Sequence, residues 1–219
     1  MRDRSIPDPD RKRGFVEKRN PLKVIGEQTI REYRRTDPTL DFAVQSLSPQ
    51  PPCKKGCAAC CKQLVSTSMA EVAAIAVAYP DKLRAKRKKL REQADLLDSL
   101  VEQVFGTAQR SYSIDTEEAS ADYSQKNERL ADLWWAEQLA CVFLREDNTC
   151  SVYDARPISC RGYYVRTDPA LCFSMDKPEV ELYSFHAIQF LRLRLMEQSG
   201  GNLTLMYLPT ALWAGLKAL

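Results

Sequence analysis

At 219 residues the chain is long enough for one sizeable hydrophobic core, and its apolar fraction of 44% is ordinary for a globular protein. A net charge of +3 does not mark a nucleic-acid binder, and nucleic acid is not an expected partner. No run of eighteen apolar residues is present, so no membrane span is expected.

The start, MRDRSIPDPDRKRG, lacks the apolar stretch of a secretory signal, and its acids and prolines argue against a transit peptide. The expected location is the cytoplasm, where thiols stay reduced. Residues 1–50 read as a basic, proline-rich N-terminal arm, partly disordered, because they carry few large apolar groups. Within it, Gly26 to Arg35 fit either a short helix or a stretch lying against the domain. Ser48-Pro49-Gln50-Pro51-Pro52 reads as a stiff extended spacer that delivers the chain to Cys53.

Residues 51–219 read as one domain. Cys53 to Lys62 form a compact loop, eased by Gly56. Ser68 and Glu71 match a capping box, so an almost wholly apolar helix follows through AEVAAIAVAY until Pro80 breaks it. A longer helix starts near Asp81, with a stripe of Leu90, Ala94, Leu97, Val101 and Val104, and stops at Gly106. Residues 107–123 read as loop. A third helix spans Tyr123 to Leu139, with Trp134 and Trp135 turned to different sides, one of them in the core and the other either an exposed anchor or packed under a loop. CVFL and CSVY, separated by Arg145 to Thr149, carry a β-hairpin signal. Asp176 and Pro178 suit a helix start, and that helix runs to about Gln198 before Gly200-Gly201. Leu191, Leu193 and Leu195 alternate like a strand inside it, but length and caps favour helix. A last short helix begins at Pro209. The expected fold class is therefore mainly α: a helical domain with a small β-hairpin, stapled by metal at cysteine-rich loops.

All eight cysteines fall in two groups: Cys53, Cys57, Cys60 and Cys61, then Cys141, Cys150, Cys160 and Cys172. In a reducing compartment, metal is the usual reason for thiols to cluster, and tight turns let thiolates converge on one ion from several directions. Adjacent side chains usually diverge, so Cys60 and Cys61 are expected to serve different centres, or one of them to stand outside the ligand set. Four thiolates on one zinc carry excess negative charge. Lys54, Lys55, Lys62, Arg156 and Arg161 flank the cysteines closely enough to offset it, although solvated surface charge is the plainer reading of each lysine.

The pattern C-x3-C-x2-CC, followed by CVFL, CSVYDARPISCRG and a late cysteine, resembles the YkgJ-type cysteine cluster family. Its domain is also described as CxxCxxCC, a zinc- or iron-chelating domain. The resemblance covers residues 53 to 175 and rests on Cys53, Cys57, Cys60, Cys61, Cys141, Phe143, Leu144, Cys150, Tyr153, Arg156, Pro157, Cys160, Arg161 and Cys172. It implies chelation of zinc or iron; the same thiolates also suit an iron–sulfur cluster, and Tyr153, Arg156, Arg161 and Lys62 are expected beside the ligands. A flagellin lysine methylase stands among the broader relatives. That leaves an iron–sulfur-dependent redox or methyltransferase-like enzyme as one alternative, and a protein-interaction module with purely structural zinc as another.

Other readings fit less well. The C-x3-C-x2-C spacing is also that of radical-SAM enzymes, but their barrel needs repeated strand–helix units. A disulfide framework lacks a secretory context. His186, the single histidine, reads as a packing residue rather than a metal ligand or base, and no catalytic set can be assembled around it. The basic run KLRAKRKKLRE keeps helical leucine spacing and has no interleaved aromatic, so it reads as a solvated helix face.

Overall fold

The structure, a computed structural model, describes residues 20–53, 56–107, 111–113, 121–168, 171–172, 180–198 and 204–218. They fold as expected into a mainly helical protein, and the short helix offered over Gly26 to Arg35 is part of a longer one. Helix α1 spans Pro21–Gln45. Asn20 caps it, its side-chain oxygen accepting from Leu22 N at 3.0 Å, and Pro21 takes the first turn, where no N–H is needed. Its buried residues include Gly26, Thr29, Tyr33, Thr36 and Leu40, a stripe at alternating three- and four-residue spacing. Small and polar groups dominate that stripe, which is why the segment looked too poor in apolar surface to pack. Residues 1–19 of the expected arm lie outside the described residues.

Strand β1, Ser66–Ser68, runs directly into helix α2, Met69–Ala78. The capping box forms as expected: Ser68 Oγ accepts from Glu71 N, and Glu71 accepts from Ser68 N at 2.7 Å. α2 is buried almost all round, because its small residues let two helices come close. A Cβ on Gly26 of α1 would lie 2.5 Å from the Ala73 carbonyl oxygen. A Cβ on Gly215, in the C-terminal helix Leu208–Ala218, would lie 2.4 Å from Val72 Cγ1.

Pro80 opens helix α3, Pro80–Ala85, and a turn at Lys86 separates it from helix α4, Arg87–Phe105. The expected long helix is thus two helices. α4 buries Leu90, Ala94, Leu97 and Val101 and ends on Gly106, whose φ of +74° is the left-handed conformation glycine adopts without a steric penalty. Strand β2 is Ser111–Ser113 and helix α5 is Ala121–Ala136. Trp134 and Trp135 are both buried, so neither is an exposed anchor.

The expected hairpin between Cys141 and Tyr153 is reduced to one bridged pair, Leu144 with Cys150. Arg145 N donates to Thr149 O at 2.9 Å, and Ser151 N donates to Phe143 O at 2.8 Å. Asn148, at φ +60°, supplies the left-handed turn residue. A short helix α6, Ile158–Arg161, follows Pro157. Helix α7 is His186–Gln198, and Asp176 and Pro178 lie outside the described residues. The chain is not yet helical at residues 180–185, where Leu182 bridges to Val165, so the helix begins later than the cap signal implied. In α7 the leucines obey helical rather than strand spacing: Leu191 and Leu195 are fully buried, and Leu193 is 57% exposed.

Strand β3, Thr204–Tyr207, leads into helix α8, Leu208–Ala218, where Pro209 sits in the first turn. The three strands pair antiparallel in the order β1-β3-β2, with Ser66 opposite Tyr207 and Ser111 opposite Met206. Because β1 and β3 run antiparallel, α2 and α8 leave opposite ends of the pair. Leu208 N continues the pairing to Val65 O at 2.8 Å. Among the described residues, no helix is long and apolar enough to cross a membrane.

Candidate metal centre

Each cysteine is placed by a turn. Gly56, at φ +92°, bends the first loop. A 3-10 turn at Ala59–Lys62 then carries Cys60 and Cys61, with Cys61 N donating to Ala58 O at 3.0 Å. Cys141 N donates to Cys61 O at 2.7 Å, which brings the later cysteines to this loop. Cys150 lies across the tight turn from Leu144. Cys160 sits in α6, its N–H held by Pro157 O at 2.9 Å. Val165 N donates to Cys53 Sγ at 3.3 Å and so fixes the segment before Cys172 against the first loop.

All eight cysteines line one cavity of about 640 Å³, and all are free thiols. Their spatial grouping crosses the grouping in sequence. Cys53 and Cys57 pack with Cys172 around Ala59 and Val165, and they feel one another's charge. Cys61 interacts instead with Cys141 and Cys160, and Cys150 acts on both of those. Cys60 lies within electrostatic reach of both sets. Cys60 and Cys61 share the 3-10 turn, and each thiol shifts the acidity of the other.

That coupling and burial order the thiol acidities. Accepting from Cys61, with Arg156 nearby, lowers Cys60 to about 7. Donating to Cys60, and buried, Cys61 holds its proton firmly. Burial pushes Cys141 up to about 11, and raises Cys53, Cys150, Cys160 and Cys172 as well.

The donor set fits a thiophilic metal, zinc or iron, with cations near enough to balance thiolate charge. Arg156 acts on Cys60, Cys150 and Cys160, Arg145 on Cys150, and Lys89 on Cys141. Among the described residues, no three cysteine, histidine or carboxylate side chains are already drawn around one point. The thiols line the wall and would turn inward to share an ion.

The sequence of residues 52–174 matches the model of the CxxCxxCC family, described as "Putative zinc- or iron-chelating domain". The chain belongs to the CxxCxxCC family. No curated protein and no solved structure matches it.

Of the residues expected to flank the ligands of this CxxCxxCC chain, two face the cavity. Arg156 lines it, its guanidinium 3.8 Å above the ring of Tyr153, which also lines it. The other two do not. Lys62 turns to Gln138 Oε1 at 3.0 Å, and Arg161 is buried against the ring of Tyr33 at 3.8 Å. Lys54 and Lys55 lie outside the described residues. His186 is exposed in the first turn of α7 and is not a packing residue.

Sequence reasoning missed Tyr163, Tyr164, Arg145 and Lys89. Tyr163 and Tyr164 line the cavity, and Tyr163 OH accepts from Gln63 Nε2 at 2.9 Å. The one signal for the tyrosines was their position directly after Cys160-Arg161-Gly162. Lys89 was hidden in a basic run that reads as solvated.

Proposed function

We propose that this chain holds zinc or iron, the iron either as ions or within an iron–sulfur cluster, on thiolates drawn from Cys53, Cys57, Cys60, Cys61, Cys141, Cys150, Cys160 and Cys172. Family membership and the clustered cysteines support metal binding. The observation that carries the assignment of ligands is the single cavity onto which all eight thiols open. The spatial grouping favours two ligand sets, Cys53, Cys57 and Cys172 in one and Cys61, Cys141, Cys150 and Cys160 in the other, with Cys60 between them. Free, clustered thiols suit a reducing, cytoplasmic setting.

One observation bears on an enzyme reading: the thiol-lined cavity of about 640 Å³ falls within the size of small-molecule pockets, and a catalytic metal keeps an open position where a structural one is closed. The second reading is therefore an iron–sulfur-dependent redox or group-transfer enzyme. Bound metal would supply redox or Lewis-acid chemistry, and the chain would supply the walled pocket and the balancing cations.

Purification without air, followed by elemental analysis and an absorption spectrum, tests both. Zinc with no visible band supports ions on thiolates alone. Iron with acid-labile sulfide and brown absorbance supports the cluster. A chain that retains neither metal, and takes up neither on titration, overturns the proposal.

A further inference from the structure

We propose that Glu71 and Arg161 position the turn carrying Cys160, and that α1 completes their frame through Tyr33 and Asp37. The inference rests on the reading of Cys160 as a metal ligand.

Glu71 does more than close the capping box of α2. Its Oε2 accepts from Ser68 N at 2.7 Å, Ser68 Oγ at 3.0 Å and Thr67 Oγ1 at 3.3 Å. Its Oε1 reaches across the fold to accept from Ile158 N at 2.6 Å, the first N–H of α6, and from Tyr33 OH at 3.4 Å. Both carboxylate oxygens thus hold backbone N–H groups of separate segments, and a buried carboxylate so partnered keeps a fixed orientation.

Arg161 fixes the other end of the same turn. Only 2% of it is exposed. Its Nε donates to Arg156 O at 3.0 Å, and its two terminal nitrogens donate to Asp154 O and to the Asp37 carboxylate. The ring of Tyr33 lies beneath the guanidinium. Cys160 therefore sits between an anchored Ile158 and an anchored Arg161, and Arg161 also holds the carbonyls at 154 and 156. A buried cation needs its paired anion, and here that anion, Asp37, comes from α1, a helix that precedes the family-matched residues 52–174. Coupling of this kind is reciprocal: if docked α1 steadies a metal ligand, bound metal steadies α1 by the same factor.

The test uses the full chain carrying Asp37→Ala, Asp37→Glu or Glu71→Gln. In metal-free protein the alkylation rate of each thiol is followed by mass spectrometry. Asp37→Ala is expected to speed alkylation of Cys160 relative to Cys57 by about tenfold, the scale of one charge-assisted hydrogen bond, and Asp37→Glu is expected to restore the slow rate. Glu71→Gln, which keeps shape and loses charge, is expected to act in the same direction. In the wild type, zinc or iron(II) is expected to slow hydrogen exchange across residues 29–40. An unchanged Cys160 rate in both Asp37→Ala and Glu71→Gln overturns the positioning role. A chain that binds no metal, yet shows the faster Cys160 in these variants, overturns the metal reading and leaves the positioning role standing.

Discussion

The backbone N–H of Cys141 donates to the carbonyl oxygen of Cys61 at 2.7 Å. Four helices, α2 to α5, and two strands, β1 and β2, lie between these residues, so one backbone bond joins the two cysteine loops. It also places Cys61 with the later cysteines, while Cys172 packs with the early pair Cys53 and Cys57. The two groups of cysteines that lie together in space, proposed above as ligand sets, are therefore interleaved along the chain.

Interleaving is tested by double substitution. Cys61→Ser and Cys141→Ser, combined, are expected to lose little more metal than either alone, because both remove the same set. Cys61→Ser combined with Cys53→Ser is expected to lose the metal of both sets, since changes in separate sets add. The measurement is metal per chain after desalting. Non-additive loss for Cys53 with Cys61 would favour the grouping in sequence. His186→Ala, exposed in the first turn of α7, is expected to keep the wild-type metal content.

The metal-free chain is expected to lose stability in alkali. Burial holds the folded-state pKa of Cys141 near 11, above the roughly 8.5 of an unfolded thiol. Between those values the folded chain binds more protons than the unfolded one, so stability falls as pH rises through that window. Cys141 alone contributes a loss on the order of 2 kcal/mol. Urea midpoints at pH 8 and pH 10.5 measure it. Bound metal, which fixes thiolates in the folded state, is expected to flatten the dependence, and metal affinity itself is expected to rise with pH over the neutral range.

Glycine positions on either side of α2 should differ in tolerance. Gly26→Ala forces a methyl against the Ala73 backbone carbonyl, which cannot turn aside, and is expected to cost about 1–3 kcal/mol. Gly215→Ala meets one methyl of Val72 and is expected to cost less, because a side chain can rotate. Denaturant midpoints of the two variants give the order directly.

The leucines of α7 provide a comparable contrast. Leu195→Ala, at a fully buried position, is expected to cost about 2–5 kcal/mol. Leu193→Ala, at an exposed one, is expected to stay within about 0.5 kcal/mol of wild type. Equal losses at both would contradict the helix.

Local signals were the legible ones. Ser68 with Glu71 and Gly106 act through neighbours a few residues away, and the stripe of α4 has large apolar groups to mark it. Of α1 only a short helix over Gly26 to Arg35 was legible, because its buried face uses Gly26, Thr29 and Thr36, and only the close approach of Ala73 makes that face worth burying. Strands of three or four residues, as in β1 and β3, are too short to show alternation. At the site the eight cysteines and Arg156 were legible from spacing. The partition between Cys61 and Cys172 was not, since it depends on the Cys141–Cys61 bond. Arg161 looked like a charge for the metal, but its true partner, Asp37, lies far back in the chain.

The central claim is that metal sits on cysteine sulfur in this cavity. X-ray absorption at the metal edge of anaerobically purified protein tests it most directly. The account predicts a shell of sulfur at about 2.3 Å, the distance of metal–thiolate bonds. A shell composed only of nitrogen or oxygen at about 2.0–2.1 Å would contradict it.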